Sequence, residues 1–255
     1  MLYYDIADNV TAFTTTREGG CSIGNYASMN VNAYCGDDPE HILENRRILC
    51  SELDIPIHHL VMPHQTHQTK VAAITPRFME YTKEQKADFL EGVDAVMTDM
   101  KGVAIGVSTA DCVPILIYDP HHHVAAAVHA GWRGTVGRIA EKAIYEMNRV
   151  YGTIGCDCKA IIGPSISLDS FEVGDEVYDA FRAAGFDKAQ IYAFRNGKWH
   201  IDLWECNRQQ LLNKKIDAHN VHVAGICTYQ SSDRFFSARK LGINSGRLFS
   251  GIILR

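Results

Sequence analysis

The residues best suited to chemistry in this sequence are two histidines and one cysteine. They belong to three compact motifs: His67 in HQTHQTKV (64–71), Cys112 in STADCVPILIYD (108–119) and His129 in VAAAVHAGWRGT (124–135). Two imidazoles and a thiolate are good zinc ligands, and three protein ligands leave one tetrahedral position open, as in catalytic rather than structural zinc sites. If the three side chains meet, the sequence predicts a metalloenzyme that reacts at the open position.

Buried strands are predicted to carry two of these three residues. The segment VAIGVSTADC (103–112) is a strand pattern that runs into a polar end, which places Cys112 at a strand terminus or turn. The segment VAAAVHAGWRGT predicts a second buried strand that ends at His129, followed by a glycine-rich turn and a helix. Two strands with ligands at matching ends would form a rigid site. We expect His67 to come from the edge of the strand VAAIT (71–75).

The rest of the chain alternates between strand and helix patterns. Several strands are almost entirely apolar, which is typical of strands covered on both faces. The predicted strands are 71–75, 94–99, 103–109, 112–119, 123–130, 221–230 and 246–255. The predicted helices are 37–54, 137–152, 172–185 and 202–216, and the predicted ordered loop is 13–32. These elements predict an α/β fold: a single domain over residues 1–255 with a mixed central sheet flanked by helices, a layered α/β sandwich.

Composition and charge argue against several classes of protein. With 255 residues the chain can bury a large core, and its net charge of −5 argues against nucleic acid or an anionic membrane as a general partner. No apolar run approaches ~18 residues, so no membrane span is predicted. The start MLYYDIADNV lacks the basic and apolar regions of a signal peptide, so we expect a cytoplasmic protein whose eight cysteines are reduced thiols.

Motifs spread over nearly the whole chain carry a resemblance to a known family. They are FTTTREGGCSIGNYASMN, GDDPEHILENRR, HQTHQTKV, ADCVPILIYD, VHAGWRGT, IGPSI, VGDEV, DLWECNRQQLL and CTYQSSDRFFSARK. The chain resembles the laccase-domain polyphenol oxidases, also described as bacterial purine nucleoside phosphorylases with adenosine deaminase activity. The resemblance implies that His67, Cys112 and His129 hold zinc. Gln68 departs from the family, which often has glycine there, and this changes the expected shape of the pocket wall.

Two reactions on small-molecule purine nucleosides are implied by the resemblance. One is phosphorolysis of adenosine, inosine, guanosine or 5′-methylthioadenosine, in which phosphate is the co-substrate and a pentose 1-phosphate is released. The other is hydrolytic deamination of adenosine to inosine. A metal ion lowers the pKa of bound water toward ~7, which provides hydroxide for attack on C6 of adenine. The usual H-x-E…P-C-x-x-C signature of zinc deaminases is absent from the sequence.

Three further residues each have two interpretations. Asp111, beside the catalytic candidate Cys112, is a proton shuttle or a residue that caps the turn. Arg46 matches the arginine of the family's E-N-R motif, implicated in phosphate or substrate binding, or it is a solvated helix residue paired with Glu44 or Asp38. Trp132 stacks on the base or only covers the metal site.

Other functions use the same three residues. Cysteine with two histidines is also a blue-copper ligand set, so a copper-dependent polyphenol oxidase is one alternative. A multicopper centre needs paired arrays of histidines. The main histidine cluster of the sequence, His121–His123, lies in the turn DPHHHVA, where we expect at most adventitious copper binding. Another alternative is a metal-free hydrolase or amidase with Cys112 as nucleophile and His129 as base. A bound metal would block that nucleophile.

Overall fold

Two β-sheets packed face to face form the centre of the molecule. The computed structural model describes residues 1–186 and 191–255. Its strands are β1 (Leu2–Tyr4), β2 (Val10–Thr14), β3 (Leu60–Val61), β4 (Lys70–Ala73), β5 (Val93–Thr98), β6 (Ala104–Thr109), β7 (Val113–Asp119), β8 (Val124–Ala130), β9 (Lys159–Ile162), β10 (Glu172–Val173), β11 (Tyr192–Arg195), β12 (Lys198–Ile201), β13 (Val221–Val223) and β14 (Leu248–Leu254). Its α-helices are α1 (Pro39–Glu52), α2 (Pro76–Met79), α3 (Lys83–Leu90), α4 (Trp132–Val136), α5 (Ile139–Tyr151), α6 (Asp175–Ala183), α7 (Leu203–Asn213) and α8 (Ala238–Leu241).

Both large sheets are mixed. One has the strand order β1-β2-β14-β6-β3 and the other β13-β9-β7-β8-β5-β4, while β10-β12-β11 form a small separate sheet. In the six-stranded sheet β8 pairs antiparallel with β5 and β7, and β4 pairs parallel with β5. The predicted layered α/β class is therefore confirmed. In place of one central sheet, the structure has two mixed sheets packed on each other.

The apolar faces of the strands pack in three layers of core. Between the two sheets lie buried side chains that include Ile105, Val107, Leu116, Tyr118 and Ile252. Helix α1 covers the outer face of the five-stranded sheet, and α5 and α7 cover the outer face of the six-stranded sheet. Every residue of β7 and β8 is buried, as their continuous apolar sequences predict for strands covered on both faces.

Local signals explain where several elements begin and end. The Asp38 side chain accepts a hydrogen bond from the Glu40 backbone N–H, and Pro39 occupies the first turn, so α1 begins where the sequence predicts. Helix α5 ends at Tyr151 and is followed by Gly152, whose φ of 79° is the left-handed conformation that glycine adopts readily. None of the helices in the described ranges is long and apolar enough to cross a membrane.

Several predicted boundaries are wrong, and strand pairing explains three of them. The predicted loop 13–32 contains the end of β2, because Phe13 and Thr14 pair with β14. The predicted helix 172–185 begins later, at Asp175, since residues 172–173 pair with β12 as a strand. The predicted strand 221–230 stops at Val223, because the chain beyond it leaves β9 and pairs only locally with the loop at residue 165.

Candidate metal centre

The pairing of β7 with β8 brings two of the predicted ligands together. Cys112 lies immediately before β7, and His129 is the penultimate residue of β8. The strands are antiparallel, with Pro114 opposite His129, so the beginning of β7 lies beside the end of β8. His67 comes from the loop that precedes β4. The potential ligand atoms of His67, Cys112 and His129 all lie within 4.8 Å of one another.

A buried aspartate on the neighbouring strand β5 holds two of the three ligands. Asp94 Oδ1 lies 2.7 Å from His129 Nδ1, and it also accepts a 3.0 Å hydrogen bond from the His67 backbone N–H. Its other oxygen accepts from the Gln68 backbone N–H at 2.8 Å. A carboxylate on the far nitrogen of a metal-binding histidine fixes the ring and its tautomer. Asp94 therefore directs the Nε2 atom of His129 toward the ligand group.

Asp94 was not among the residues predicted from sequence. The available signal is a single acid inside the apolar strand segment VDAVMT, where a buried carboxylate requires partners. Burial alone would raise the pKa of Asp94, but hydrogen bonds from His129 and from the backbone N–H groups of Gln68 and His67 lower that pKa below its usual range. The carboxylate is thus ionised, and His129 Nδ1–H donates to it.

The thiol and the imidazole of the site stabilise each other's charged forms. Burial opposes the charge of Cys112, but the neighbouring His129 and His67 outweigh it and lower the pKa of the thiol to about 6. Burial likewise opposes the charge of His129, but Cys112 and Asp94 raise the pKa of this imidazole to about 9. Without a metal, both shifts favour the thiolate and imidazolium forms of the pair at neutral pH. The thiolate is the form of cysteine that binds metals and the form that attacks substrates.

The backbone around His67, Cys112 and His129 leaves space between their side chains. A Cβ atom on Gly131 would lie 3.1 Å from Cys112 Sγ and 3.1 Å from His67 Cδ2, so a larger residue there would crowd the ligands. His67 itself has a φ of 62°, which costs a non-glycine residue about 1–3 kcal/mol and is held by the hydrogen bonds to Asp94. A soft thiolate and two imidazoles, one of them oriented by a carboxylate, fit one borderline metal ion such as zinc.

The potential ligands form a single group, which is suited to one metal ion. In the part of the chain that the structure describes, His67, Cys112 and His129 form the one group of three or more potential ligands. Two of the three histidines in the DPHHHVA turn bond to protein groups: His122 Nδ1 pairs with Asp119 at 2.8 Å, and His123 Nδ1 lies 3.1 Å from the Tyr118 hydroxyl. This arrangement does not fit the clustered histidines of a trinuclear copper centre.

A cavity of about 790 Å³ lies over the three ligands, within the size range of small-molecule sites. Its wall combines residues from distant parts of the chain, including Tyr34, His64, Phe171, Arg239 and Arg247. The Tyr34 ring stacks on His64 with ring centroids 3.9 Å apart, and His64 Nδ1 lies 2.7 Å from Glu91. The cavity thus presents a metal-ligand group, an aromatic face and guanidinium groups to the same space.

Asp111 lines this cavity, and both of its carboxylate oxygens have protein partners. Oδ1 accepts from the Thr228 hydroxyl and Oδ2 from the Arg239 backbone N–H, each at 2.7 Å. Its carbonyl accepts from the Ile166 N–H at 2.9 Å. With a φ of 91°, Asp111 turns the chain sharply before Cys112. These contacts match the turn-capping interpretation, while a proton-shuttle role stays a prediction.

Arg46 and Trp132 lie outside the cavity lining. Arg46 Nε donates to the Val31 carbonyl at 2.9 Å, and burial lowers the pKa of its guanidinium. This contact differs from both interpretations of Arg46 given from the sequence. The ion pair with Glu44 is made by the next residue, Arg47. Trp132 begins α4 and packs against the core beside α5. Direct contact of either residue with a substrate stays a prediction.

The fold and the site together define a layered α/β protein with a mononuclear His₂Cys group beside a small-molecule cavity. Residues 11–255 match the family model described as multi-copper polyphenol oxidoreductase laccase, and the chain belongs to this family. It is 48% identical over 248 residues to a protein named purine nucleoside phosphorylase from Bacteroides thetaiotaomicron, covering 96% of this chain and 92% of the relative. It is 45% identical to "Adenosine deaminase RL5" of an unknown prokaryotic organism, with coverages of 96% and 94%.

Solved structures agree with this family assignment. The structure of YlmD from Geobacillus stearothermophilus aligns with a TM-score of 0.92 and 30% identity. The alignment covers 100% of this chain and 97% of the YlmD chain. The Bacillus licheniformis protein YfiH aligns with a TM-score of 0.90 and 30% identity, with coverages of 96% and 93%. The resemblance inferred from the sequence motifs is confirmed.

Proposed function

We propose that this chain is a metal-dependent enzyme of purine nucleosides. The reactions are phosphorolysis of adenosine, inosine, guanosine or 5′-methylthioadenosine to base and pentose 1-phosphate, and hydrolytic deamination of adenosine to inosine. The observation that carries the proposal is the group His67, Cys112 and His129 in the wall of a cavity of about 790 Å³. Relatives named purine nucleoside phosphorylase and adenosine deaminase support the substrate class.

His67, Cys112 and His129 would hold the metal, which we propose is zinc. A bound zinc ion supplies Lewis acidity and lowers the pKa of water beside it. The chain's own residues set up that position. Asp94 holds the ring of His129 and the backbone of His67 in place. The lowered pKa of Cys112 keeps the thiolate available as a ligand at neutral pH.

The other cavity residues would bind and orient the nucleoside. Tyr34 uses one ring face to stack on His64, so its other face is suited to a purine base. In deamination, water adds at C6 and ammonia leaves. In phosphorolysis, a phosphate oxygen bonds to C1′ as the bond to the base breaks. For Asp111 we propose a positioning role, because its two oxygens already accept hydrogen bonds from Thr228 and Arg239.

A second candidate function has one observation in its favour. The Cys112 thiol with a pKa of about 6, next to His129, is the pair that a metal-free cysteine hydrolase or amidase uses. The copper-oxidase alternative has the family description behind it, but the described residues provide only the mononuclear ligand group. Metal content separates these alternatives, since a metal bound to Cys112 would block its use as a nucleophile.

The deciding experiment uses purified, tag-free protein with its metals quantified by elemental analysis. The protein is incubated with adenosine, with and without phosphate, and the products are separated by chromatography. We expect near-stoichiometric zinc, adenine and ribose 1-phosphate in the presence of phosphate, and inosine in either condition. Metal-free protein without nucleoside turnover would favour the cysteine hydrolase. Copper-dependent oxidation of phenols without nucleoside turnover would favour the oxidase.

A further inference from the structure

We propose that the Arg239 guanidinium is the oxyanion-binding group of the cavity and receives the inorganic phosphate co-substrate. This inference rests on the proposed function, because phosphate is a substrate only if the enzyme catalyses phosphorolysis. It assigns phosphate binding to a residue from the C-terminal part of the chain, whereas the sequence motifs favour Arg46. Four observations lead to it.

The charge of the cavity favours an anion. Among the described residues that line it, Asp111 is the one acid, while Arg239 and Arg247 are both cationic. Asp111 already accepts hydrogen bonds through both of its carboxylate oxygens. Both of its oxygens are thus occupied by protein donors, and Arg239 and Arg247 are the two arginine cations of the lining that an anion can approach. Guanidinium groups that line a concave site attract anions into it.

Two of the three candidate arginines are already engaged. Arg247 donates through Nη1 to the Ser245 and Gly246 carbonyls at 2.6 and 3.0 Å, and through Nη2 to the Ile243 carbonyl at 2.8 Å. It therefore stabilises its own loop. Arg46 lies outside the cavity lining and holds the Val31 carbonyl. Among the described contacts, Nε is the one guanidinium nitrogen of Arg247 without a hydrogen bond, and Arg46 does not line the cavity.

Arg239 is held in place and still has donors to offer. Its backbone N–H bonds to Asp111, its Nη1 donates to the Glu172 carbonyl at 3.1 Å, and its guanidinium carbon lies 5.7 Å from the Phe171 ring centroid. Nε and Nη2 make no hydrogen bond to any residue that the structure describes. These two atoms form the planar fork that binds two phosphate oxygens at once.

The same aspartate links this arginine to the metal ligands. Asp111 fixes the backbone of Arg239 and directly precedes Cys112 in the chain. The position of the guanidinium is thereby set relative to the position of the thiolate. An anion on Arg239 and a nucleoside at the metal centre would occupy one cavity, as an attack of phosphate on C1′ requires.

The test compares Arg239→Gln and Arg239→Lys with Arg47→Gln, a control in which an exposed arginine of α1 is replaced outside the cavity. Steady-state kinetics give the KM for phosphate in phosphorolysis, and titration calorimetry gives the Kd of inorganic phosphate. Loss of charge-assisted hydrogen bonds predicts a rise of about 10- to 100-fold in both constants for Arg239→Gln. Arg239→Lys keeps the charge without the fork and should lie between wild type and Arg239→Gln. The control should match wild type.

The readouts separate failure of this inference from failure of the proposed function. If wild type cleaves nucleosides with phosphate and Arg239→Gln keeps the wild-type KM and Kd for phosphate, the inference is wrong and the function stands. If wild type binds phosphate through Arg239 but does not cleave nucleosides, the anion site stands and the proposed reaction fails. An equal loss of kcat for phosphorolysis and deamination, with an unchanged phosphate Kd, would show that Arg239 supports the site only structurally.

Discussion

The metal centre and the outer wall of the cavity are built in different ways. His129 and Asp94 lie on adjacent strands inside the six-stranded sheet, where both side chains are almost completely buried. Tyr34 and Ile243, in contrast, are 53% and 74% exposed, and they lie on segments outside the two large sheets. Under the proposed function, the buried sheet would carry the chemistry, and the exposed loops would carry the contacts that select the substrate.

This difference sets the expected size of mutational effects. A hydrogen bond between buried groups is stronger in the low-dielectric interior, and a buried group left without a partner is expensive. Exposed contacts are screened by water and contribute less. Substitutions in the metal centre should therefore change metal binding and activity together, whereas those at the outer wall should change substrate affinity with smaller effects on the bound metal.

The largest effect is expected for His129→Ala. This change removes one ligand and leaves Asp94 without its imidazole partner. Activity should fall on the order of a thousandfold or more, because the Lewis acid contributes several kcal/mol and each 1.36 kcal/mol corresponds to a factor of ten. Elemental analysis of purified protein should show the loss of bound metal, and circular dichroism should show that the protein is folded.

His121→Ala is the matched control, because it removes an exposed histidine of the DPHHHVA turn. Metal content and turnover should remain at the wild-type level. If His121→Ala instead lost the metal while His129→Ala retained it, the ion would belong to the turn, and the assignment of the centre would be wrong.

A smaller effect is expected for Asp94→Asn. The amide keeps the size of the side chain but removes its charge, and it places a donor near the backbone N–H groups that now bond to Asp94. Loss of such an outer partner typically lowers metal affinity about 10- to 100-fold. Competition with a chromophoric chelator measures the zinc Kd. Asp99→Asn, at the exposed position after β5, is the control and should keep wild-type affinity. Equal affinities for the two variants would contradict an orienting role for Asp94.

The convergence of His67, Cys112 and His129 is easier to predict from sequence than the cavity wall, for a physical reason. The apolar runs that form β7 and β8 are strong strand signals, and His129 and Cys112 are unusual residues at the ends of such runs. Asp94 is not predicted as a site residue, because a single acid in a strand sequence does not indicate which residue it will contact. Its role depends on the pairing of β5 with β8, which places two distant segments side by side.

The cavity wall is harder to predict because it joins segments from opposite ends of the chain. Tyr34 lies just before α1, and Arg239 lies in a four-residue helix about two hundred positions later. No periodic pattern links these two segments. Arg46 shows the converse difficulty: its motif is recognisable, but only the folded chain reveals that its Nε holds the Val31 carbonyl.

The smallest effect is expected for Tyr34→Ala, which tests whether the outer wall binds the base. Its backbone N–H donates to the Asn32 side chain at 2.6 Å, so the loop keeps this anchor when the ring is removed. An aromatic pair contributes about 0.5–1.5 kcal/mol, which predicts a rise in the KM for adenosine of roughly 2- to 12-fold. The kcat and the bound metal should change little. Tyr34→Phe keeps the ring and should retain the wild-type KM. If Tyr34→Ala lowers kcat and leaves KM unchanged, the ring acts on the reaction step, and the division between a catalytic interior and a selective wall does not hold at this residue.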